Sequence, residues 1–213
     1  EVYEDWYDIE HKHPQILSEA VYGLVEMNRE QIENADLIAN PGCYPTASTL
    51  GLLPLMEKEV IDLNSIIIDA KSGVSGAGKS LKRVTHYCEA DESMKAYGIT
   101  THRHTSEIES NLENFSAVHS AEREEIKVSF TPHLTPMKRG ILATIYVNLN
   151  QEVKEAALNN LYQKFYEDSQ FVRVLKNSAP DTKYVAGTNY CHLGVNKDAR
   201  IPRAVITSAI DNL

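Results

Sequence analysis

A cysteine between two prolines, two histidines flanking an arginine, and a glycine-rich loop ending in lysine and serine are the side chains of this sequence best suited to chemistry. Cys43 lies in Ala39-Asn40-Pro41-Gly42-Cys43-Tyr44-Pro45-Thr46-Ala47-Ser48, after a short apolar run, Leu37-Ile38-Ala39. Gly42 permits a sharp turn, and Pro45 suits the first turn of a helix, where its missing N–H costs nothing. Cys43 is therefore expected at a strand-to-helix junction, where free N–H groups and partial positive charge favour a thiolate or an oxyanion on a bound acyl group. That reading predicts Cys43 as the most reactive of the three thiols, ahead of Cys88 and Cys191. The plainer reading is a buried cysteine serving as a small apolar residue.

His102-Arg103-His104 sets two imidazoles just ahead of a predicted helix, and an ordinary imidazole suits proton transfer near neutrality. Alternatively they are solvated surface histidines, or share a metal with His133 or with Cys191 and His192. No familiar ligand spacing supports a metal. Residues 73–80, GVSGAGKS, satisfy the phosphate-loop pattern G-x-x-x-x-G-K-[ST] at every position, which raises an NTPase with Lys79 reaching a terminal phosphate. Pro132-His133-Leu134-Thr135-Pro136-Met137-Lys138-Arg139-Gly140 places His, Lys and Arg on one connection; it is either an ordinary charged turn or, through the planar fork of Arg139, a bidentate anion site.

The elements that must position these groups follow from periodicity. Ala47, Leu50, Leu53 and Leu55 fit a helix running from Cys43 to about Lys58. Glu19–Tyr22 reads as a short strand, and Asn28 with Gln31 as a capping box opening a short helix. Ile66–Ala70 is a β-branched buried strand, and 80–96 is ambiguous, with Leu81, Val84 and Cys88 at helical spacing. Ile108, Leu112 and Phe115 define a helix over 106–117, with Ser106 and Glu109 as a second capping box. Val128–Pro132, Ile141–Asn148, Val172–Leu175, Cys191–Val195 and Arg203–Ile210 are strands, and 152–167 is an amphipathic helix. Strands follow one another without a helix between each pair. The expectation is thus an α+β fold with a mixed, largely antiparallel sheet, and the rhythm of alternating strands and helices that an NTPase needs is missing.

Composition narrows the function further. At 213 residues, with 42% hydrophobic and 24% charged side chains, the chain can bury a core of one to two domains. A net charge of −9 argues against general nucleic-acid binding, while leaving room for a small anion held by local cations. No apolar run is long enough to span a membrane, and the acidic, aromatic N-terminus is not a secretory signal. Three widely spaced cysteines fit a reducing, cytoplasmic setting rather than a disulfide framework.

NPGCYPTAS resembles the active-site signature of the N-acetyl-gamma-glutamyl-phosphate reductase family, NADP-dependent enzymes of arginine biosynthesis. VYGLVEMNR (21–29), SGVSGAGKSLK (72–82), the HRHTSEI run and PHLTPMKRGI (132–141) match it in the same order, with Val25 and Ser106 standing where proline is expected or common. The resemblance implies a glyceraldehyde-3-phosphate-dehydrogenase-like C-terminal domain over 43–213, preceded by the tail of a dinucleotide-binding half over 1–42. It implies Cys43 as nucleophile and His102, rather than His104, as acid/base, with Glu107 orienting it. Asn40, His104, Glu107 and Arg139 would contact the substrate. Ser72, Gly73 and Gly76 would lie near the nicotinamide end of NADP(H), and Lys79 would be incidental. The implied reaction reduces N-acetylglutamyl 5-phosphate to the semialdehyde through a thioester, with no metal, in a dimer or tetramer. Other readings are an aspartyl- or aminoadipyl-phosphate reductase, the NTPase, or a non-catalytic dimerisation fragment. Because no GxxGxxG-like fingerprint precedes Gly42, these residues alone are expected to transfer no hydride.

Overall fold

A computed structural model describes residues 2–119, 125–176 and 178–213. In chain order the main elements are α1 (Val2–Tyr7), β1 (Ala20–Tyr22), α2 (Val25–Glu33), β2 (Leu37–Ala39), α3 (Cys43–Glu57), β3 (Ile67–Ser72), α4 (Tyr87–Ala90), β4 (Lys95–Ala96), α5 (His104–His119), β5 (Ser129–Leu134), β6 (Ile141–Asn148), α6 (Glu155–Phe165), β7 (Val172–Val174), β8 (Cys191–Asp198) and β9 (Arg203–Ile210). From Tyr44 to Met56 every residue of α3 except Thr46 is buried. A helix that is apolar all round is stable only inside the molecule. Here it lies between the main sheet, at β6 and β9, and the helices α5 and α6. Gly51 makes the contact with the sheet possible, since a Cβ there would come within 2.7 Å of Ile145 Cδ1.

The seven-stranded sheet runs β4-β5-β3-β6-β9-β8-β7. The β3–β5 and β7–β8 pairs are parallel, and the β4–β5, β3–β6, β6–β9 and β8–β9 pairs antiparallel. This is the mixed, largely antiparallel sheet expected. β5 and β6 do not pair with each other, because β3 lies between them. Period-two alternation puts Ile141, Ala143, Ile145 and Val147 of β6 into the core, and its other residues on a half-buried opposite face. That opposite face carries Asp69, whose carboxylate lies 2.6 Å from Lys71 Nζ and 3.1 Å from His133 Nδ1. β1 and β2 form a separate parallel pair bridged by α2.

Two local expectations are corrected and one ambiguous stretch is resolved. α2 starts at Val25, and Asn28 marks a kink within it, its side chain donating to the Tyr22 carbonyl instead of capping. Ser106 lies inside α5 and donates to the Arg103 carbonyl, while Glu109 accepts from Val128 N and Lys127 Nζ, so the pair is no capping box. Residues 80–96 form a 3-10 turn (Arg83–Thr85), α4 and β4 rather than one helix, and Leu81 is fully exposed.

Pro54 sits inside α3 and cannot donate to the Leu50 carbonyl four residues earlier. The hydroxyl of the buried Tyr166 donates to that carbonyl, and Tyr162 donates to the next one, Gly51. An unsatisfied buried acceptor costs about 1–3 kcal/mol, so Tyr166→Phe is expected to lower the urea unfolding free energy by that amount. The loss should shrink in a Pro54→Ala background, where the helix regains its own N–H. Equal losses in both backgrounds would show that Tyr166 acts by packing alone.

Candidate active site around Cys43

Cys43 opens α3, and Gly42 occupies the N-cap with extended backbone and no side-chain cap. The Cys43 and Tyr44 N–H groups face the Cys43 sulfur and favour its ionised form. Burial opposes them, Glu107 adds like charge, and Arg103 partly offsets it; the net effect pushes the thiol up. Cys43 therefore rests as a thiol, contrary to the thiolate expected from its position alone. Cys43 is half-buried, Cys88 is exposed, and burial pushes Cys191 up to about 12. The most accessible thiol is thus Cys88, not Cys43.

The approach of His104 and Glu107 to the Cys43 turn depends on Gly42. A Cβ there would come within 2.8 Å of His104 Nε2 and 3.0 Å of a Glu107 carboxylate oxygen. His104 and Glu107 are one turn apart on α5 and share a face. Glu107 Oε1 accepts from Gly42 N (2.8 Å) and from the Tyr22 hydroxyl (2.8 Å). Asn111 donates to the Tyr22 oxygen at 2.8 Å and to Thr49 Oγ1 at 3.3 Å. Glu107 thus fixes the cysteine turn and does not hydrogen-bond to His102.

His102 Nδ1 accepts from His104 N at 3.1 Å. Its ring meets His104, Tyr44, Tyr97 and Phe130 edge-on, at centroid distances of 4.9 to 5.5 Å. Tyr44 and Tyr97 join hydroxyl to hydroxyl at 2.9 Å. His104 Nδ1 is buried without a hydrogen-bond partner. Burial first, then neighbouring positive charge, lowers both histidines to about 4. Both are neutral imidazoles at pH 7, able to accept a proton.

Two cavities meet at Cys43, Gly76, Arg103 and His104. One, of about 480 Å³, includes Asn40, Gly42, Asn189, Asp211 and Asn212; the other, of about 570 Å³, includes Ser72, Gly73, Tyr97 and His102. Ser72, Gly73 and Gly76 are therefore at the site, as is Asn40. Arg139 lines neither cavity, and its guanidinium pairs with Asp211 at 3.0 and 3.2 Å.

The glycine-rich loop is not a phosphate cradle. Its Gly73, Val74 and Ser75 N–H groups are spent on the carbonyls of Gly140, Met137 and Lys138, and a 3-10 turn, Val74–Ala77, replaces the helix an NTPase needs. The loop is held by Asn212, which donates to Ser72 Oγ and the Gly73 carbonyl and accepts from Ser75 Oγ and Gly140 N. Among the described residues no three His, Cys, Asp or Glu side chains gather as a metal site. Tyr22, Asn111, Arg103 and Asn212 were missed in the sequence. Only Arg103 carried a signal there, as the middle residue of His-Arg-His.

A family model described as "Semialdehyde dehydrogenase, dimerisation domain" matches residues 43–212. The chain is 58% identical over its full length to an N-acetyl-gamma-glutamyl-phosphate reductase of Halothermothrix orenii, and 52% identical to one of Acetivibrio thermocellus. It spans 60% of the length of each of these relatives. Among solved structures it is similar to aspartate semialdehyde dehydrogenase II of Vibrio cholerae, with TM-score 0.64, 16% identity and coverage of 94% of this chain and 65% of that one. An aspartate semialdehyde dehydrogenase of Francisella tularensis gives TM-score 0.66 at 13% identity, covering 91% of this chain and 66% of that one. At these identities the structural likeness is one of fold.

The histidine environment sets an acid limit. Unfolded imidazoles protonate near pH 6.5, while folded His102 and His104 stay neutral down to about 4. Between those values the unfolded state binds more protons, so stability falls as pH falls. The contribution is fully present above about 6.5. Urea midpoints measured from pH 7.5 to 4.5 should fall less steeply in His102→Asn/His104→Asn than in the parent. Parallel pH profiles would show that the acid loss arises elsewhere.

Proposed function

We propose, on the premise that the chain belongs to the semialdehyde dehydrogenase dimerisation-domain family, that it supplies the acylated thiol and the proton-transfer group of an NADPH-dependent N-acetylglutamyl-phosphate reductase in arginine biosynthesis. The observation that carries this reading is the pairing of a resting thiol at Cys43 with a neutral, half-buried His104 held against the same turn. A thiolate would need no base, and a protonated histidine could not act as one.

In this reading His104 takes the Cys43 proton as the sulfur attacks the acyl carbon of the acyl phosphate. The acyl carbon–oxygen bond breaks, and the proton held by the imidazole goes to the departing phosphate. A thioester remains on Cys43. The Cys43 and Tyr44 N–H groups at the start of α3 favour negative charge on the sulfur in both directions of this step. Bound NADPH would supply hydride to the thioester carbon. When the carbon–sulfur bond breaks, His104 returns a proton from solvent to the sulfur, so each turnover consumes one proton. His104 is preferred over His102 because its ring lies against Gly42 and lines both cavities, whereas His102 Nδ1 holds the His104 backbone.

Gly76 and Asn189 line the smaller cavity with a bare backbone and a neutral amide, which suits the carboxamide end of the nicotinamide rather than its phosphates. A Cβ on Gly76 would come within 2.8 Å of Asn212 Nδ2, so that position needs glycine. Residues 1–42, with their separate β1–α2–β2 unit, are read as the tail of the dinucleotide-binding half, and 43–213 as the catalytic and dimerisation domain. The family description favours a homo-oligomer. Hydride transfer is assigned to the longer protein that the relatives represent.

Mixing the chain with N-acetylglutamyl phosphate should give an acyl adduct on Cys43, followed by intact mass. His104→Asn should slow its formation by about a hundred- to ten-thousand-fold, the usual weight of a general base, and His102→Asn by less. The reverse ranking would move the base to His102. Acylation confined to Cys88 would remove Cys43 as the nucleophile.

A further inference from the structure

The stretch VYGLVEMNR (21–29) has no task in the chemistry proposed above, yet its Tyr22 hydroxyl is bonded into the network behind Cys43. Tyr22 ends β1, outside the residues 43–212 that the family model matches. Two residues one turn apart on α5 clasp its oxygen, which donates to Glu107 Oε1 at 2.8 Å and accepts from Asn111 Nδ2 at 2.8 Å. A phenol has one proton to give and an amide nitrogen can only donate, so Asn111 directs that proton at Glu107. Burial first, then the Glu107 charge, push the phenol above its usual value, and it stays a donor. The backbone under the ring is equally fixed. Tyr22 pairs with Ala39 of β2, its carbonyl accepts from Asn28 Nδ2 at 2.9 Å, and Gly23 N donates to the Ala39 carbonyl at 2.9 Å. A Cβ on Gly23 would come within 2.7 Å of Ile38 Cγ2, so glycine is what lets this turn lie against β2. The tyrosine, glycine and asparagine of the stretch thus serve one end, a hydroxyl aimed at Glu107. A half-buried tyrosine needed for packing alone could leave its polar tip to water.

Glu107 Oε1 divides itself between Tyr22 and the Gly42 N–H, and the charge of Glu107 acts on the Cys43 sulfur. We infer that Tyr22 is a positioning residue for the nucleophile: acting through Glu107, it holds the carboxylate on the Gly42 N–H and offsets part of its charge, so that a strand outside 43–212 governs the reactivity of Cys43. Hydrogen-bond donors on a carboxylate stabilise its charge and weaken the field it exerts on its other neighbours. Without the hydroxyl, Glu107 keeps fewer donors and presents more negative field at the sulfur, which disfavours ionisation of the thiol. Arg103, Tyr44 and Tyr97 also act electrostatically with Cys43, His104 lines the same cavities, and Tyr7 acts on Tyr22. Those groups are common to every protein compared below, so the differences isolate Tyr22 and Glu107. The consequence for turnover rests on the proposed role of Cys43; the coupling itself does not.

The test follows the pH dependence of iodoacetamide alkylation at Cys43, read by peptide mass spectrometry on the 213-residue chain with exposed Cys88 as internal reference. The parent is compared with Tyr22→Phe, Glu107→Gln and the double variant. Glutamine keeps an acceptor oxygen for the Gly42 N–H and removes the charge. Tyr22→Phe should move the Cys43 profile to higher pH by about half a unit, or roughly threefold in rate at neutral pH. Glu107→Gln should move it to lower pH, and adding Tyr22→Phe to that variant should leave it in place. A Tyr22→Phe shift of equal size in both Glu107 backgrounds would overturn the inference, since packing rather than the carboxylate would then be its cause. So would the absence of a shift in the parent background, or a shift to lower pH. If an acyl phosphate leaves no adduct on Cys43, the proposed function fails while these profiles still report the coupling of Tyr22 to the thiol.

Discussion

The carboxylate of Glu107 is the constraint on which the site depends. One oxygen accepts from both the Gly42 N–H and the Tyr22 hydroxyl, so three separate elements, β1, the start of α3 and the first turn of α5, are tied at a single atom. A carboxylate in the first turn of a helix is favoured by the free N–H groups there, which helps to hold it in place. His104, one turn away, is set against the same glycine. The geometry around Cys43 thus reduces to two positions on one helix pressed onto one residue without a side chain. The arrangement has an electrostatic consequence: burial first, and to a smaller degree the charge of Glu107, raises the Cys43 thiol, while burial keeps the neighbouring His104 neutral.

Asn212 is the matching constraint on the other side of Cys43. From the end of β9 it makes hydrogen bonds to Ser72, Gly73, Ser75 and Gly140, all through one side-chain amide. These bonds hold the glycine-rich loop in a shape with its own N–H groups turned inward. A sequence that satisfies the phosphate-loop pattern at every letter therefore cannot present the backbone that the pattern stands for. The amide is buried, and both its oxygen and its nitrogen are satisfied, the condition under which a buried polar side chain rigidifies its surroundings.

Much of the fold was legible because its signals are local. The β-branched run at Ile66–Ala70, the alternation in β6 and the 3.6-residue spacing of Ile108, Leu112 and Phe115 each specify an element within a few residues of its observed ends. Cys43 at a strand-to-helix junction was legible from Gly42 and Pro45. What could not be read are pairings between distant residues. The pairing of Arg139 with Asp211, 72 positions later, leaves no local mark in either segment. The Ser106–Glu109 box failed because Glu109 is drawn to the lead-in of β5, a tertiary demand stronger than the local cap. The thiolate expected at a helix N-terminus failed for a similar reason: the dipole is a local term, and desolvation is set by what packs over it.

The cleft around Cys43 is also built from parts of differing burial. Cys43 opens a helix whose carbonyls, even where Pro54 breaks the internal pattern, are bonded by buried tyrosines from α6 and the segment just after it. Moving that sulfur relative to the sheet would require disrupting the core, so its position shares the global stability of the molecule. The far rim of the larger cavity, in contrast, is made by a short 3-10 turn that follows the exposed Lys82 and by the two-residue edge strand β4. Covalent chemistry needs sub-ångström placement of sulfur and imidazole, which buried elements provide. Electrostatic attraction of an anion falls slowly with distance and tolerates side-chain motion. In the function proposed for Cys43 and His104, the end of the cleft anchored in the core is the part that meets the stricter of those two distance dependences.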